Sequence, residues 1–293
     1  VVPYGENAFP KVLKVGRVTL PVDVREGFLR QGMFQQNIMG RTEWHDKLRM
    51  GVSIGVKNVP MAGTLGPFVK LAGNDVGFLT CTHVVGGEHV DILQPADGES
   101  FPNRPQFERY CGEVIKICFN PQFRVQNNGL LNTVGVDAAL VQVKGNRKID
   151  FRNFPSVTTT DLETAGFNPD DPPYGYGSIK YHLDFRDTQG KRVIKYGRTT
   201  GLTKGSLELQ GARVRRRDAD LELPNKNRVV MTNQYIIEKH GGMPFFLRGD
   251  SGAGVFLVGE DNKITLIGLA IGMLDSDYCV VTPIQYILKE LDF

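Results

Sequence analysis

Along most of the chain the apolar runs are short, rich in Val, Ile, Leu and Phe, and cut off by Gly, Asn, Asp or Pro. Branched and aromatic side chains fit a pleated, half-buried surface, and the punctuating residues supply turns, so this pattern predicts antiparallel strands. One set covers Met50–Ile54, Gly66–Leu71, Gly77–Thr80, His89–Gln94, Gly112–Phe119 and Ala138–Val143. A second covers Val193–Tyr196, Ser206–Val214, Val229–Ile237, Gly252–Leu257, Thr265–Ile271 and Tyr278–Val281. Two such sets suit an all-β fold of two six-stranded antiparallel β-barrels. The expected division is an amino-terminal extension at 1–45, a first barrel at 46–145, a connection with an elaborated surface loop at 146–192, and a second barrel at 193–293. Helices are expected at Asp23–Phe34 and at Pro283–Leu291, the latter carrying Ile284, Ile287, Leu288 and Leu291 on one face to pack on the second barrel.

Charge excludes some partners. With 35 basic and 32 acidic residues the formal net charge is +3, too small to imply a polyanion partner. The basic run Ala212–Arg217 is followed directly by Asp218, Asp220 and Glu222, which reads as a solvated hairpin of mixed charge, so no nucleic acid is expected. Cys81, Cys111, Cys118 and Cys279 are too scattered for a disulfide scaffold, and no His or Cys cluster has zinc spacing, so no metal is expected. The start VVPYGENAFPK lacks a charged segment followed by an apolar one, so no signal peptide is expected. The apolar run Ile264–Leu274 is far short of a membrane span, and no membrane association is expected. Reduced thiols in an intracellular compartment, cytoplasmic or nuclear, are the expectation.

The stretch FFLRGDSGAGVF, Phe245–Phe256, admits three readings: a nucleophile turn, a glycine-rich hairpin, or a display of the tripeptide Arg248-Gly249-Asp250. A serine is a poor nucleophile unless a base takes its proton and a third group orients that base. All five histidines, His45, His83, His89, His182 and His240, precede Ser251. An α/β-hydrolase needs its histidine after the serine and a Gly-x-Ser-x-Gly elbow, and Ala253 stands at the last position of that motif. The remaining common order is His, Asp, Ser over two barrels. His83 follows the strand-like FLTCT and precedes Gly86-Gly87, and Asp137 opens the apolar run AALV, where a carboxylate would be desolvated enough to hold an imidazole. That order places His83 and Asp137 in the first barrel, Ser251 in the second, and the chemistry in the groove between them.

Thr82-His83, Asp137-Ala138-Ala139-Leu140 and Gly249-Asp250-Ser251-Gly252 resemble the three signatures of the chymotrypsin-like serine proteases. The segments GVSIG (Gly51–Gly55), AGTLG (Ala62–Gly66), VGFLT (Val76–Thr80) and KYGRTTGLTKG (Lys195–Gly205) are similar to the plant narrow-leaf group of intracellular trypsin-like proteases. The likeness runs from Met50 to Gly272. It implies a chymotrypsin-like fold with Ser251 as nucleophile, His83 as general acid and base, and Asp137 as its orienting partner. The amides of Gly249 and Ser251 would form the oxyanion hole. It implies no cofactor and no metal, with protein or peptide substrates. A catalytically silent peptide-binding module or a scaffold dependent on homo-oligomerisation is the alternative.

Two departures matter. Secreted members usually carry a cysteine directly after the histidine, where Val84 stands here. Many also pair the acid before the serine with a freed Ile-Val-Gly-Gly amino terminus, and here Pro3 and Tyr4 follow Val1-Val2. Asp250 is therefore expected to find an internal donor, an arginine such as Arg248 or backbone amides. By offset from Ser251, Phe245 would lie near the base of the primary pocket and Ile271, Gly272 and Met273 would form a wall. That lining favours an uncharged side chain before the scissile bond, unless Asp275 or Asp277 enters the pocket and selects Lys or Arg. The other reading of Phe245 and Phe246 is as core residues. The segment Gly197–Gly201 is expected to be a structural hairpin, with anion binding by Arg198 the alternative.

Overall fold

The computed structural model describes residues 12–15, 18–21, 40–99, 104–127, 130–150, 154, 157–175, 177–180, 183, 185–215 and 230–293. The helix expected at Asp23–Phe34, the end of the basic run at Arg216-Arg217, His182 and Val1 lie outside these residues. A hairpin of β1 (Val12–Val15) and β2 (Val18–Pro21) comes first. β3 (Lys47–Leu48) later pairs in parallel with Lys148–Ile149, labelled β11 in chain order.

The first sheet contains β4 (Ser53–Val56), β5 (Gly63–Thr64), β6 (Phe68–Lys70), β7 (Val76–Thr80), β8 (Asp91–Leu93), β9 (Tyr110–Asn127) and β10 (Leu130–Val143), in the order β5-β4-β8-β9-β10-β7-β6. Its two edge strands are consecutive in the chain. Between them Leu65 N–H donates to the Val52 carbonyl and Gly66 N–H to the Leu79 carbonyl, each at 2.9 Å. One bent ribbon, 63–70, thus bonds β4 with its first half and β7 with its second, closing the sheet on itself. The ribbon can bend there because Gly66 has no side chain: a Cβ would meet the Gly252 oxygen at 2.3 Å and the Leu79 oxygen at 2.5 Å.

The second unit is a closed barrel in the order β12 (Arg192–Gly197), β13 (Gly201–Arg215), β14 (Val230–Lys239), β17 (Tyr278–Pro283), β16 (Ile264–Met273) and β15 (Gly254–Val258). Every pairing within it is antiparallel. The connecting residues hold more order than the sequence suggested. The short helices α1 (Thr82–Val85) and α2 (Gln106–Arg109) lie within the first unit, and α3 (Thr159–Ala165) and α4 (Phe185–Thr188) lie between the units. Thr158 and Asp161 form a capping box at the start of α3, and Gly166 closes it in the left-handed conformation.

The carboxy-terminal helix α5 (Ile284–Glu290) buries Ile284, Ile287 and Leu288, and Leu291 follows them into the core. Each such side chain contributes roughly 1.5–3 kcal/mol on burial. The helix touches β16, β17 and also β10, so its apolar stripe fastens both sheets rather than the second alone. One cluster spans the two units, running from Leu79, Val134 and Ala138 to Tyr196, Phe256 and Leu269. Phe154 stacks on Tyr196 within it at a centroid distance of 4.9 Å. This shared core fixes the end of β7 and the start of β10 against the turn before β15.

Candidate active site

β7 ends at Thr80, Cys81 is still extended, and α1 begins at Thr82, so His83 sits in a helical turn rather than at a bare strand end. The Thr82 hydroxyl lies 2.8 Å from the Cys118 carbonyl and 2.6 Å from that of Ala138, pinning α1 to β9 and β10. The next residue on β10 is within reach. Asp137, 2% exposed, receives the His83 backbone N–H on Oδ1 at 3.3 Å and holds His83 Nδ1 on Oδ2 at 2.6 Å. Gripping ring and backbone together fixes the imidazole's orientation and leaves Nε2 as the nitrogen for proton transfer. His83 Nε2 and Ser251 Oγ are both buried, and among the described residues neither has a hydrogen-bond partner, each other included.

Cys81, His83 and Asp137 have donor atoms within 4.8 Å of one another, a set that would accommodate a metal by distance alone. In this structure the three are otherwise engaged: His83 Nδ1 and Asp137 Oδ2 hold each other at 2.6 Å, and the Cys81 thiol, raised well above its ordinary range by burial and by the Asp137 carboxylate, lies 3.5 Å from the Ala270 carbonyl.

Ser251 stands in a turn whose carbonyls are drawn to one side. Thr199 Oγ1 donates to the Arg248 carbonyl at 2.6 Å, Thr64 Oγ1 to that of Gly249 at 2.8 Å, and Thr64 N–H to that of Ser251 at 2.9 Å. Thr64 lies on the closing ribbon of the first sheet, so one unit shapes the turn of the other. Among the described residues nothing accepts from the amides of Gly249 and Ser251. Gly249 has φ +98°, and a Cβ there would lie 2.4 Å from Thr199 Oγ1. Gly252 has φ +93°, with a Cβ 2.2 Å from Thr80 Oγ1. Both positions require glycine.

Asp250 is fully buried and points back into a cradle formed by the end of β12 and the residues after it. Its Oδ1 accepts from the amides of Thr199 at 2.9 Å and Thr200 at 3.1 Å. Its Oδ2 accepts from Leu247 N–H at 2.9 Å, Thr200 Oγ1 at 2.7 Å and Lys195 Nζ at 3.1 Å. The expected internal donors are present, but the charged one is Lys195; Arg248 is exposed. Arg198 is not an anion site. Its Nε and Nη2 grip the two oxygens of buried Glu99 at 2.6 Å each, and Ser53 Oγ also reaches Glu99 at 2.6 Å. The 195–200 segment is thus a structural mount for the serine turn.

Phe245 and Phe246 belong to the core of the second barrel, with the Phe245 ring 5.5 Å from Lys195 Nζ. Ile271 is buried in a cluster shared with the first sheet, Gly272 is buried beside it on β16, and Met273 is half-buried. Asp275 folds back on the amides of Asp277 and Tyr278, and Asp277 pairs with Lys239 at 2.6 Å, so both carboxylates are engaged at the surface. His45 is half-buried against the Gly40 carbonyl, and His89 and His240 are exposed.

No protein-family model matches the chain, and no curated protein matches it. Solved structures do. A Nocardiopsis protease aligns with a TM-score of 0.51 at 13% identity, covering 84% of this chain and 97% of its own. Its fold and this one are the same. The chain folds as the chymotrypsin-like serine proteases do. Thermobifida fusca protease A (TM-score 0.49, 15% identity) and a Cellulomonas bogoriensis chymotrypsin (0.49, 13%) each cover 84% of this chain and 96% of their own.

Sequence reading missed Lys195, Glu99 and Thr64. A signal existed for the first: Val193 and Ile194 are core residues, and a lysine in so apolar a strand must find an anion.

Proposed function

We propose that the chain is a serine endopeptidase that cleaves peptide bonds through Ser251, His83 and Asp137. The observation that carries this is the arrangement around His83: Nδ1 is held by a buried carboxylate at 2.6 Å, while Nε2 and Ser251 Oγ are buried and have no hydrogen-bond partner among the described residues. In the proposed reaction Oγ bonds to the substrate carbonyl carbon as its proton passes to Nε2. The carbonyl oxygen takes the negative charge and accepts from the amides of Gly249 and Ser251. Collapse breaks the C–N bond, the amine leaves with the proton from Nε2, and water then releases the acyl group by the same path. Asp137 stabilises the imidazolium and needs no proton of its own.

Ile271, Gly272 and Met273 are proposed as the wall of the primary pocket, an apolar lining that selects an uncharged side chain. The four cysteines are buried and form no disulfide with one another, which supports action in a reducing, intracellular setting. The nearer likeness to the plant narrow-leaf group rests on the four quoted segments. Digestion of an unfolded protein such as casein, and of a peptide library, tests the reading. Cleavage by the wild type that is lost in Ser251→Ala and Asp137→Asn supports it. No cleavage by the wild type points to a peptide-binding module of the same fold.

A further inference from the structure

We propose that the Thr199 hydroxyl is the positioning group that keeps the Arg248–Gly249 peptide turned with its N–H toward the cleft, so that removing the hydroxyl lets that peptide swing its carbonyl into the place of the substrate oxygen. The inference rests on the reading of Ser251 as nucleophile for its rate arm alone.

A trans peptide is planar, with its C=O and N–H on opposite sides, so whatever grips the carbonyl also aims the amide. The three peptides of the turn are gripped unequally. The one between Gly249 and Asp250 is bonded at both ends, its carbonyl by Thr64 Oγ1 at 2.8 Å and its N–H by the Leu247 carbonyl at 3.0 Å. The one between Asp250 and Ser251 has its carbonyl held by a backbone donor, Ala253 N–H at 3.0 Å. The one between Arg248 and Gly249 hangs, among the described residues, on a single side chain: Thr199 Oγ1 donates to its carbonyl at 2.6 Å, and nothing accepts its N–H. Its orientation is not fixed by the chain either. Gly249 has φ +98°, and glycine takes positive and negative φ with nearly equal ease, so the residue the turn needs is also the one that lets this peptide rotate.

The hydroxyl itself is well placed to hold. Thr199 is 4% exposed, and its own N–H is tied to Asp250 Oδ1 at 2.9 Å. Arg198 Nη1 donates to Thr199 Oγ1 at 3.3 Å, which directs the single hydroxyl hydrogen to the Arg248 carbonyl. Arg198 is in turn clamped by Glu99 of the first unit. A line of hydrogen bonds thus runs from Glu99 through Arg198 and Thr199 to the amide of Gly249.

The test uses the full chain and two readouts: the rate of labelling by a fluorophosphonate, beside casein cleavage, and the orientation of the 248–249 peptide in crystal structures. Thr199→Val keeps the shape and loses the hydroxyl. It should slow both reactions about 10- to 100-fold, less than the roughly 100- to 1,000-fold for losing an oxyanion donor outright, because the peptide still visits the working orientation. Its crystal structure should show the Arg248 carbonyl turned toward the cleft. Thr199→Ser restores the donor and should restore both rate and orientation. A wild-type rate or an unturned peptide in Thr199→Val, or an equal loss in Thr199→Ser, would overturn the proposal. Thr199→Ala serves with the same outcomes if the valine variant does not fold; failure of both to fold while Thr199→Ser folds makes the hydroxyl a group of stability alone and refutes it as well. If the wild type neither labels nor cleaves, the nucleophile reading fails, and the peptide orientation in Thr199→Val and Thr199→Ser still decides.

Discussion

Replacing Glu99 by alanine strands the Arg198 guanidinium inside the molecule. The pair is bidentate, with both contacts at 2.6 Å and side-chain exposures of 5% and 2%. Two unit charges about 4 Å apart attract by roughly 4 kcal/mol at an effective dielectric of 20. Desolvation of the two ions offsets much of that, so the pair's net worth is small. Removing one member is different, because the desolvation cost of the other remains: about 3–5 kcal/mol. Ser53 Oγ loses its acceptor as well, which adds to the loss. For a chain of this size each kcal/mol lowers the melting temperature by roughly 2–4 °C, so Glu99→Ala should lower it by roughly 6–20 °C. The decisive comparison is the double variant Glu99→Met/Arg198→Met, followed by urea or thermal unfolding. Without a stranded charge it should lose far less than the two single variants summed. Additive losses, or a Glu99→Ala variant as stable as the wild type, would show that the pair is not the buried bridge between the barrels described here.

Other consequences are separate. Gly252→Ala should abolish cleavage and destabilise the fold by more than 1 kcal/mol, since its Cβ would lie 2.2 Å from Thr80 Oγ1 at a φ of +93°; a variant with wild-type activity would contradict the packing of the turn on the first sheet. Burial would raise the Asp97 pKa, but hydrogen bonds from Arg109, Asn58 and Gln106 and the Arg109 charge outweigh it and hold it below the ordinary range. A depressed carboxylate stabilises above its unfolded pKa and loses that contribution as pH falls through its folded value, so Asp97→Asn should flatten the acid limb of a stability profile below about pH 4. Its pH dependence matching that of the wild type would refute this. Burial raises the thiols of Cys81, Cys111 and Cys279, that of Cys111 to about 12, and Cys118 is buried too. Native protein should therefore resist iodoacetamide at neutral pH by mass spectrometry until denaturant is added; rapid native modification would contradict the burial.

How much of this was legible in the chain follows from range. Strands such as Val193–Tyr196 and Tyr278–Val281 announce themselves through local composition and turn residues. The stripe of Ile284, Ile287 and Leu288 announces a helix in the same way. His83, Asp137 and Ser251 could be picked out as candidates because each brings a local setting: Asp137 before an apolar run, Ser251 between turn glycines. The pairing of Asp250 with Lys195, of Glu99 with Arg198, and of Thr64 with Gly249 is set by how the two barrels meet, and no local pattern encodes it. The short helix at Thr82–Val85 also escaped, since its four residues have strand-like Thr and Val and form a helix because Thr82 is anchored to two strands. Residues 146–192 read as loop because Pro and Gly dominate 166–177, although α3 carries a capping box just before them.

The central claim, that Ser251 is a nucleophile activated by His83, is tested most directly by incubating the protein with a fluorophosphonate and mapping the adduct by mass spectrometry. The account predicts one phosphonyl group on Ser251 in the wild type, and its loss in His83→Ala. An adduct formed equally in both, or on another residue, or no adduct at all, would contradict it.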